Sequence, residues 1–149
     1  MDSTYSTKKH INMVRLILSE MVDELVRRGE NHDASKLVDP EKSIFDEYTP
    51  KLKNSTYMSD EYKGFLNGMR DALAHHYANN SHHPEHYDNG INGMDLLDLI
   101  EMMADWKAAS LRHDDGDIYK SLESNRSRFK ISDQLYDILF NTIDRYLDF

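Results

Sequence analysis

The chain has 149 residues, 39% of them apolar, with 27 Asp and Glu against 18 Lys and Arg and a formal net charge of −9. That length fits one domain with a core of its own, and the acidic balance argues against a broad nucleic-acid or membrane surface, since both need positive patches. There is no cysteine, so disulfides and thiolate metal sites are excluded and any metal has to be held by His, Asp and Glu.

The polar start MDSTYSTKK lacks the apolar run of a leader, and no apolar stretch approaches membrane length. A cytoplasmic protein without a membrane partner is expected. His10, Val14, Ile17, Met21 and Leu25 then recur at helical spacing up to Gly29, predicting an amphipathic helix of about two dozen residues with His10 on its inner stripe. Asp39-Pro40 reads as an N-cap and first-turn proline, opening a short helix through Ile44 and Tyr48 that stops before Pro50. Residues 51–58 read as a loop. Ser59 caps the next helix, whose apolar positions Tyr62, Phe65, Leu66, Met69 and Leu73 continue in steps of three and four through His76, Asn80 and His83 to Pro84.

DNGING (88–93) is a turn-rich loop. Residues 94–111 predict a strong helix with Leu97, Ile100, Ala104, Ala108 and Leu111 on one face and Asp98, Glu101 and Asp105 on the neighbouring one. Two more helices follow, 117–128 and 133–147, the second capped by Ser132. Nothing reads as a strand. The expected fold is all-α: a single compact helical domain over residues 1–149 with five to six helices. The last helix carries enough apolar surface to pair with a second copy, so a homodimer is a candidate assembly.

The histidines are unevenly spread. HHYANNSHHPEH (75–86) holds five of the eight, and His76 and His83 fall on the apolar stripe rather than on a solvated face. His10 lies on the first helix's inner stripe, His32-Asp33 follows a helix end, and Asp105 sits between MMA and Trp106 beside an apolar face. A carboxylate there is costly without a positive partner, and buried imidazoles need hydrogen-bond partners or a metal. Inward-facing His and Asp from separate helices suit N/O coordination of Mn²⁺, Fe²⁺, Co²⁺ or Ni²⁺ ahead of Zn²⁺ or Mg²⁺.

The order His…His-Asp…His-His…Asp on an all-helical chain resembles the HD superfamily of metal-dependent phosphohydrolases. The resemblance implies an HD-domain-like fold with His10, His32, Asp33 and Asp105 as the ligands of one metal. His32-Asp33-Ala34-Ser35-Lys36 resembles the H-D-x-x-K form of the doublet, in which the Lys faces the substrate phosphate. His82-His83 and Glu85 resemble the additional pair of two-metal branches, so His76, His82 and His83 join the candidate ligands and a second ion is left open. The G-Y-P hallmark of the cyclic-dinucleotide branch is missing. The stretches HDASK, NNSHHPEHY, MDLLDLIEMMADWKAASLRHDDGD and NRSRFKISDQL also resemble a family of small proteins encoded by tailed phages and some bacteria. That resemblance places the protein in a host cytoplasm if it is phage-encoded.

A divalent ion held this way lowers the pKa of bound water towards ~7. Asp33, Lys36 and Glu85 are then the candidate catalytic residues, with Lys36 set against phosphate and Glu85 as acid or base. Lys107, Arg112, His113, Arg126 and Arg128 form a basic cluster, of which Lys107, Arg112, His113 and Arg128 are candidate contacts to phosphate oxygens, and Asn80 could orient a ligand or bind a base. The reading that follows is hydrolysis of a small anionic nucleotide, not of a long nucleic acid. The alternatives are a protein that binds metal or nucleotide without turnover and a metal-free phage accessory factor.

Overall fold

In the computed structural model, which describes residues 2–56 and 59–149, the secondary structure is entirely helical among those residues. Seven α-helices are present: α1 (Thr4–Asn31), α2 (Glu41–Lys53), α3 (Asp60–Gly68), α4 (Arg70–Asn79), α5 (Leu96–Ser110), α6 (Ile118–Arg128) and α7 (Asp133–Tyr146), with 3-10 turns at Ala34–Leu37, Pro84–His86 and Gly90–Gly93. The chain divides into two compact units, Met1–His32 and Asp33–Phe149. No described helix is long and apolar enough to cross a membrane.

The first unit is α1, a 28-residue helix about 42 Å long. It runs two residues beyond Gly29, and the Asn31 side-chain amide donates to the Arg27 carbonyl at 2.8 Å. Glu24 pairs with Arg27 and Arg28 along the same face. As a single helix this unit has no buried residue, and Val14, Ile17 and Met21 of the expected inner stripe are exposed in it.

In the second unit the sequence cues set most helix starts. Ser59, Asp117 and Ser132 accept hydrogen bonds from backbone amides of α3, α6 and α7. Asp95 and Asp98 close a reciprocal capping box at the start of α5. α2 does not stop before Pro50; it carries that proline and ends at Lys53. A proline near a helix end forfeits little, and Asn54 N still bonds to the Pro50 carbonyl at 3.2 Å. The expected loop is therefore shorter, and its residues 57 and 58 lie outside the described part.

The helix expected from Ser59 to His83 is two helices, which raises the count from the expected five or six to seven. It breaks at Met69, whose amide is shared between the Phe65 and Leu66 carbonyls. Beside the break, a Cβ on Gly68 would meet the Tyr48 ring at 2.5 Å, so only glycine lets that ring approach. α4 then ends at Asn79. Asn80 is extended (φ −131°, ψ 101°), and its side-chain amide turns back to the His76 carbonyl at 2.8 Å. His82 and His83 thus lie on a loop rather than on the helix.

The core sits between α5, α6 and α7. Met103, Ile118, Leu122, Ile131, Leu139 and Ile143 form one buried cluster, with Trp106, Tyr119, Phe129, Leu135 and Tyr136 packed around it. Each such aliphatic side chain contributes roughly 1.5–3 kcal/mol through burial. α5 buries Leu99, Met102 and Met103 with Asp98 and Lys107, while Ile100, Ala104, Ala108 and Leu111 are exposed. That reverses the expected face. Apolar residues surround this helix, so periodicity alone could not choose the inward one.

Candidate metal centre

The site begins at Asp33, whose backbone is left-handed (φ 55°). Asp tolerates that region because its short polar side chain adds little clash. Lys36, one turn on, holds Asp33 Oδ2 at 2.7 Å, leaving Oδ1 directed at two imidazoles. His76 Nε2 lies 3.3 Å from Oδ1 and His82 Nε2 3.4 Å from it. His83 Nε2 stands 3.0 Å from His76 Nε2. Asp33, His76, His82 and His83 each offer a ligand atom, all within 4.8 Å of one another.

Carboxylates anchor the far sides of two of these rings. His76 Nδ1 meets Glu41 Oε2 at 3.0 Å, and His82 Nδ1 meets Glu101 Oε1 at 3.2 Å. With a cation bound, a carboxylate on Nδ1 holds the ring's proton there, so Nε2 presents its lone pair to the ion; without a cation, an Nε2–H donates to Asp33 Oδ1. Asn80 Nδ2 also comes within 3.2 Å of His76 Nδ1, but its two hydrogens go to the His76 carbonyl and to Ser35 Oγ. Glu41 is therefore the partner of that nitrogen. Glu41 is fully buried and accepts from His75 Nδ1 at 2.7 Å and Ser35 Oγ at 3.0 Å as well.

The electrostatics follow from this arrangement. Burial opposes ionisation of Asp33, but hydrogen bonds from His76, His82 and Lys36 outweigh it and hold the carboxyl far below its usual range. Glu41 is likewise lowered, burial being overcome by His75, Ser35 and His76. His83 is pushed down to about 3 by burial and by its neighbours His82 and His76, against the opposing pull of Asp105 and Asp33. It is a neutral imidazole at physiological pH.

The donor set fits a divalent cation. Nitrogen and oxygen ligands about 2.0–2.1 Å from a common ion stand about 2.9–3.4 Å apart, depending on tetrahedral or octahedral angles. The three separations above, 3.0, 3.3 and 3.4 Å, fall in that span. Lone pairs aimed at one point repel unless a proton or cation lies between them.

The loop bearing His82 and His83 is held by Asp98. This buried carboxylate accepts from Ser81 Oγ at 2.8 Å, Tyr87 OH at 2.6 Å and Asp95 N at 3.0 Å. His86 Nδ1 ties the same loop to the Tyr77 carbonyl on α4 at 2.7 Å. Burial and the Asp98 charge push the Tyr87 phenol up to about 12.

Beside the cluster lies a cavity of about 530 Å³ whose wall includes His83, Asp105, Trp106, Tyr77, Arg128 and Phe129. Asp105 brings a carboxylate oxygen within 4.8 Å of a His82 ring nitrogen. Arg128 is paired with Glu85 at 2.7 Å and lies over the Phe129 ring at 4.7 Å. Of the residues singled out in the sequence, Asp33, His76, His82, His83, Asp105, Lys36 and Asn80 thus come together. Lys107 is buried, with its ammonium on the Phe149 carbonyl at 2.6 Å, and Arg112 and His113 are exposed beyond α5. His10 is exposed on α1, and His32 caps that helix in the first unit.

Glu41 and Glu101 were not among the expected site residues. Glu101 left a signal, being four residues before Asp105 on the same helical face. Glu41 left none: an acidic residue in a helix's first turn is ordinary.

A small all-α protein with a clustered His/Asp site able to hold a metal ion is the class these observations define. The chain belongs to DUF5662, a family of unknown function, which it matches over residues 1–145. No curated protein and no solved structure matches it.

Proposed function

We propose that this protein is a divalent-metal-dependent phosphohydrolase acting on a small nucleotide, as phosphomonoester or phosphodiester, on an HD-like helical scaffold in the cytoplasm, a host's if it is phage-encoded. The observation that carries the reading is the aim of two imidazoles at one carboxylate oxygen, each backed by its own carboxylate. Second shells of this kind orient metal-ligating histidines and raise their basicity.

Asp33, His76, His82 and His83 would hold the ion, with Asp105 beside them; His10 and His32 are further proposed ligands that the HD resemblance brings. One ion suits the four-residue cluster, and a second stays part of the proposal. Mn²⁺, Fe²⁺, Co²⁺ and Ni²⁺ are proposed ahead of Zn²⁺ and Mg²⁺, and the imidazole-rich set argues chiefly against Mg²⁺. A bound ion of this type supplies Lewis acidity and lowers the pKa of a coordinated water.

The chain's own groups do the rest. Lys36 reaches the site with its ammonium on Asp33 and can take charge from a phosphate oxygen. Arg128, on the cavity wall, offers a planar fork for phosphate, and Glu85, which pairs with it, is proposed as the acid or base. Tyr77, Trp106 and Phe129 give the cavity aromatic surface for the organic part of the substrate, and Asn80 orients His76. Arg112, His113 and Lys107 are proposed as outer phosphate contacts.

A second reading is binding without turnover. It is favoured by the pairing of Lys36 with Asp33 and of Glu85 with Arg128, which occupies the groups a proton transfer needs. Untagged protein loaded with Mn²⁺ or Ni²⁺ and offered mononucleotides and cyclic nucleotides separates the two. Phosphate release or diester opening that Asp33→Asn abolishes supports hydrolysis. Saturable nucleotide binding with no product supports sequestration.

A further inference from the structure

We propose that the polar face of α6 recognises a nucleoside, and that the cavity beside the metal centre takes a nucleoside monophosphate lengthwise with its phosphate at the Arg128 end. The inference rests on the phosphohydrolase reading and names the substrate class of that same site. Every residue lining this cavity belongs to the second unit, and its volume of about 530 Å³ is that of a small-molecule site.

Asp117, which caps α6, and Lys120, Ser121, Ser124, Asn125 and Arg128 line the cavity. Their alternating steps of three and one put all six on one side of the helix, whose other side buries Ile118 and Leu122. A polar helix face is ordinarily only solvated, but this one shares a cavity with Tyr77, Trp106 and Ala109. Aromatic surface and hydrogen-bonding groups in one cavity suit a flat base with polar edges, carried on a sugar.

The two ends of the stripe differ. Arg128 pairs with Glu85, two residues from His83, and so stands at the metal end. Lys120 lies eight residues earlier, about 12 Å along the axis, and Asp115 and Asp117 line the cavity with it. Phosphate belongs at the first end, where a metal cation and a guanidinium meet. At the far end two carboxylates outnumber one ammonium, so a second phosphate lying that way is repelled, whereas sugar hydroxyls and base amino groups are accepted. The ligating capacity between the ends is largely unspent. Asn125 gives one hydrogen to the Ser121 carbonyl at 2.9 Å and keeps its Oδ1. The Ser124 hydroxyl and the Lys120 ammonium have no protein partner among the described residues.

The full-length chain loaded with Mn²⁺ tests this with inorganic phosphate and with non-hydrolysable methylenephosphonate analogues of the common nucleoside monophosphates. Trp106 is the only tryptophan and lines the cavity, so its fluorescence reads entry of the base. At least one analogue should quench Trp106 and bind about tenfold tighter than phosphate, the worth of one base on an aromatic ring. Asn125→Ala and Lys120→Gln should each weaken that analogue about three- to tenfold, as losing one hydrogen bond does. Retained binding of inorganic phosphate shows that these variants are folded, and Arg128→Ala should weaken phosphate and analogue alike. Phosphate binding with no analogue tighter overturns the nucleoside wall and leaves the phosphohydrolase reading standing. So does an analogue that leaves Trp106 unquenched or that neither α6 variant weakens. A nucleoside diphosphate analogue that binds tighter than the monophosphate one sinks the single-phosphate assignment. Binding of neither phosphate nor any analogue removes this inference together with the phosphohydrolase reading.

Discussion

Glu41 holds His76 by Nδ1 at 3.0 Å and so aims the ring's Nε2 at Asp33 Oδ1, 3.3 Å away. A buried carboxylate that touches no proposed metal position thereby sets the tautomer and direction of one that does. Glu41→Gln keeps the shape and removes the charge. It should weaken metal affinity about 10–100-fold, the usual cost of losing such a support, measured by chelator competition. An unchanged affinity would make Glu41 a fold residue only.

Asp33 separates charge from backbone. Asn tolerates a left-handed φ but carries no charge, so Asp33→Asn should lower the metal-free melting temperature only through the lost contacts to His76, His82 and Lys36, while abolishing most of the rise produced by Mn²⁺ or Ni²⁺. Ligand at one hundred times Kd stabilises by about 2.7 kcal/mol, a shift that differential scanning fluorimetry resolves. Asp33→Ala should lower the metal-free midpoint as well, because Ala resists that conformation. Equal metal-induced shifts in wild type and Asp33→Asn would remove Asp33 from the site.

Alkaline pH probes the loop that carries His82 and His83. The Tyr87 phenol is raised from 10.0 to about 12 by burial and by Asp98. The native state therefore holds this proton more tightly than the unfolded chain. The resulting stability is intact below pH 10 and is lost as pH rises through about 12. Melting temperature against pH should fall more steeply over that window in wild type than in Tyr87→Phe. Parallel curves would remove the phenol from the alkaline transition.

The acid side has the opposite sign. Asp33 and Glu41 are lowered in the fold, so their contribution is present above their ordinary values of 3.8 and 4.5 and disappears as pH falls below them. Metal-free Glu41→Gln should lose part of the acid dependence of the melting temperature below pH 4.5. A variant curve that follows wild type throughout would separate Glu41 from acid unfolding.

Arg128 and Leu122 give a contrast between site and core. The Arg128–Glu85 pair is on the surface and contributes about 0–1 kcal/mol, so Arg128→Ala should barely move urea unfolding, yet weaken phosphate-ester binding if the cavity is used. Leu122 has no exposed surface, and Leu122→Ala should cost about 2–5 kcal/mol. Similar urea midpoints for the two variants would contradict the assigned core.

The helical class was legible because capping residues and 3.6-residue periodicity are local signals. Ser59, Asp117 and Ser132 act on amides two or three residues away. The break at Met69 was not legible, because it involves the Tyr48 ring from α2 meeting Gly68. Nor was the inward face of α5, where apolar side chains lie all round and the partners α6 and α7 decide which are covered.

For the site, the sequence by itself determined the ligand chemistry: no thiol, an abundance of imidazole, and a His-rich segment interrupted by Asn and Pro. It also marked Asp105 as costly to bury without a counter-charge, and His76 and His83 as imidazoles in need of a partner or a metal. Only the tertiary structure decided that His82 and His83 come back to His76 on a loop fastened by Asp98, and that Glu41 and Glu101 stand behind the rings. The physical reason is range. Helix propensity and capping act within a turn of chain, whereas a coordination shell is a set of distances of about 3 Å between atoms tens of residues apart, fixed by how the helices pack.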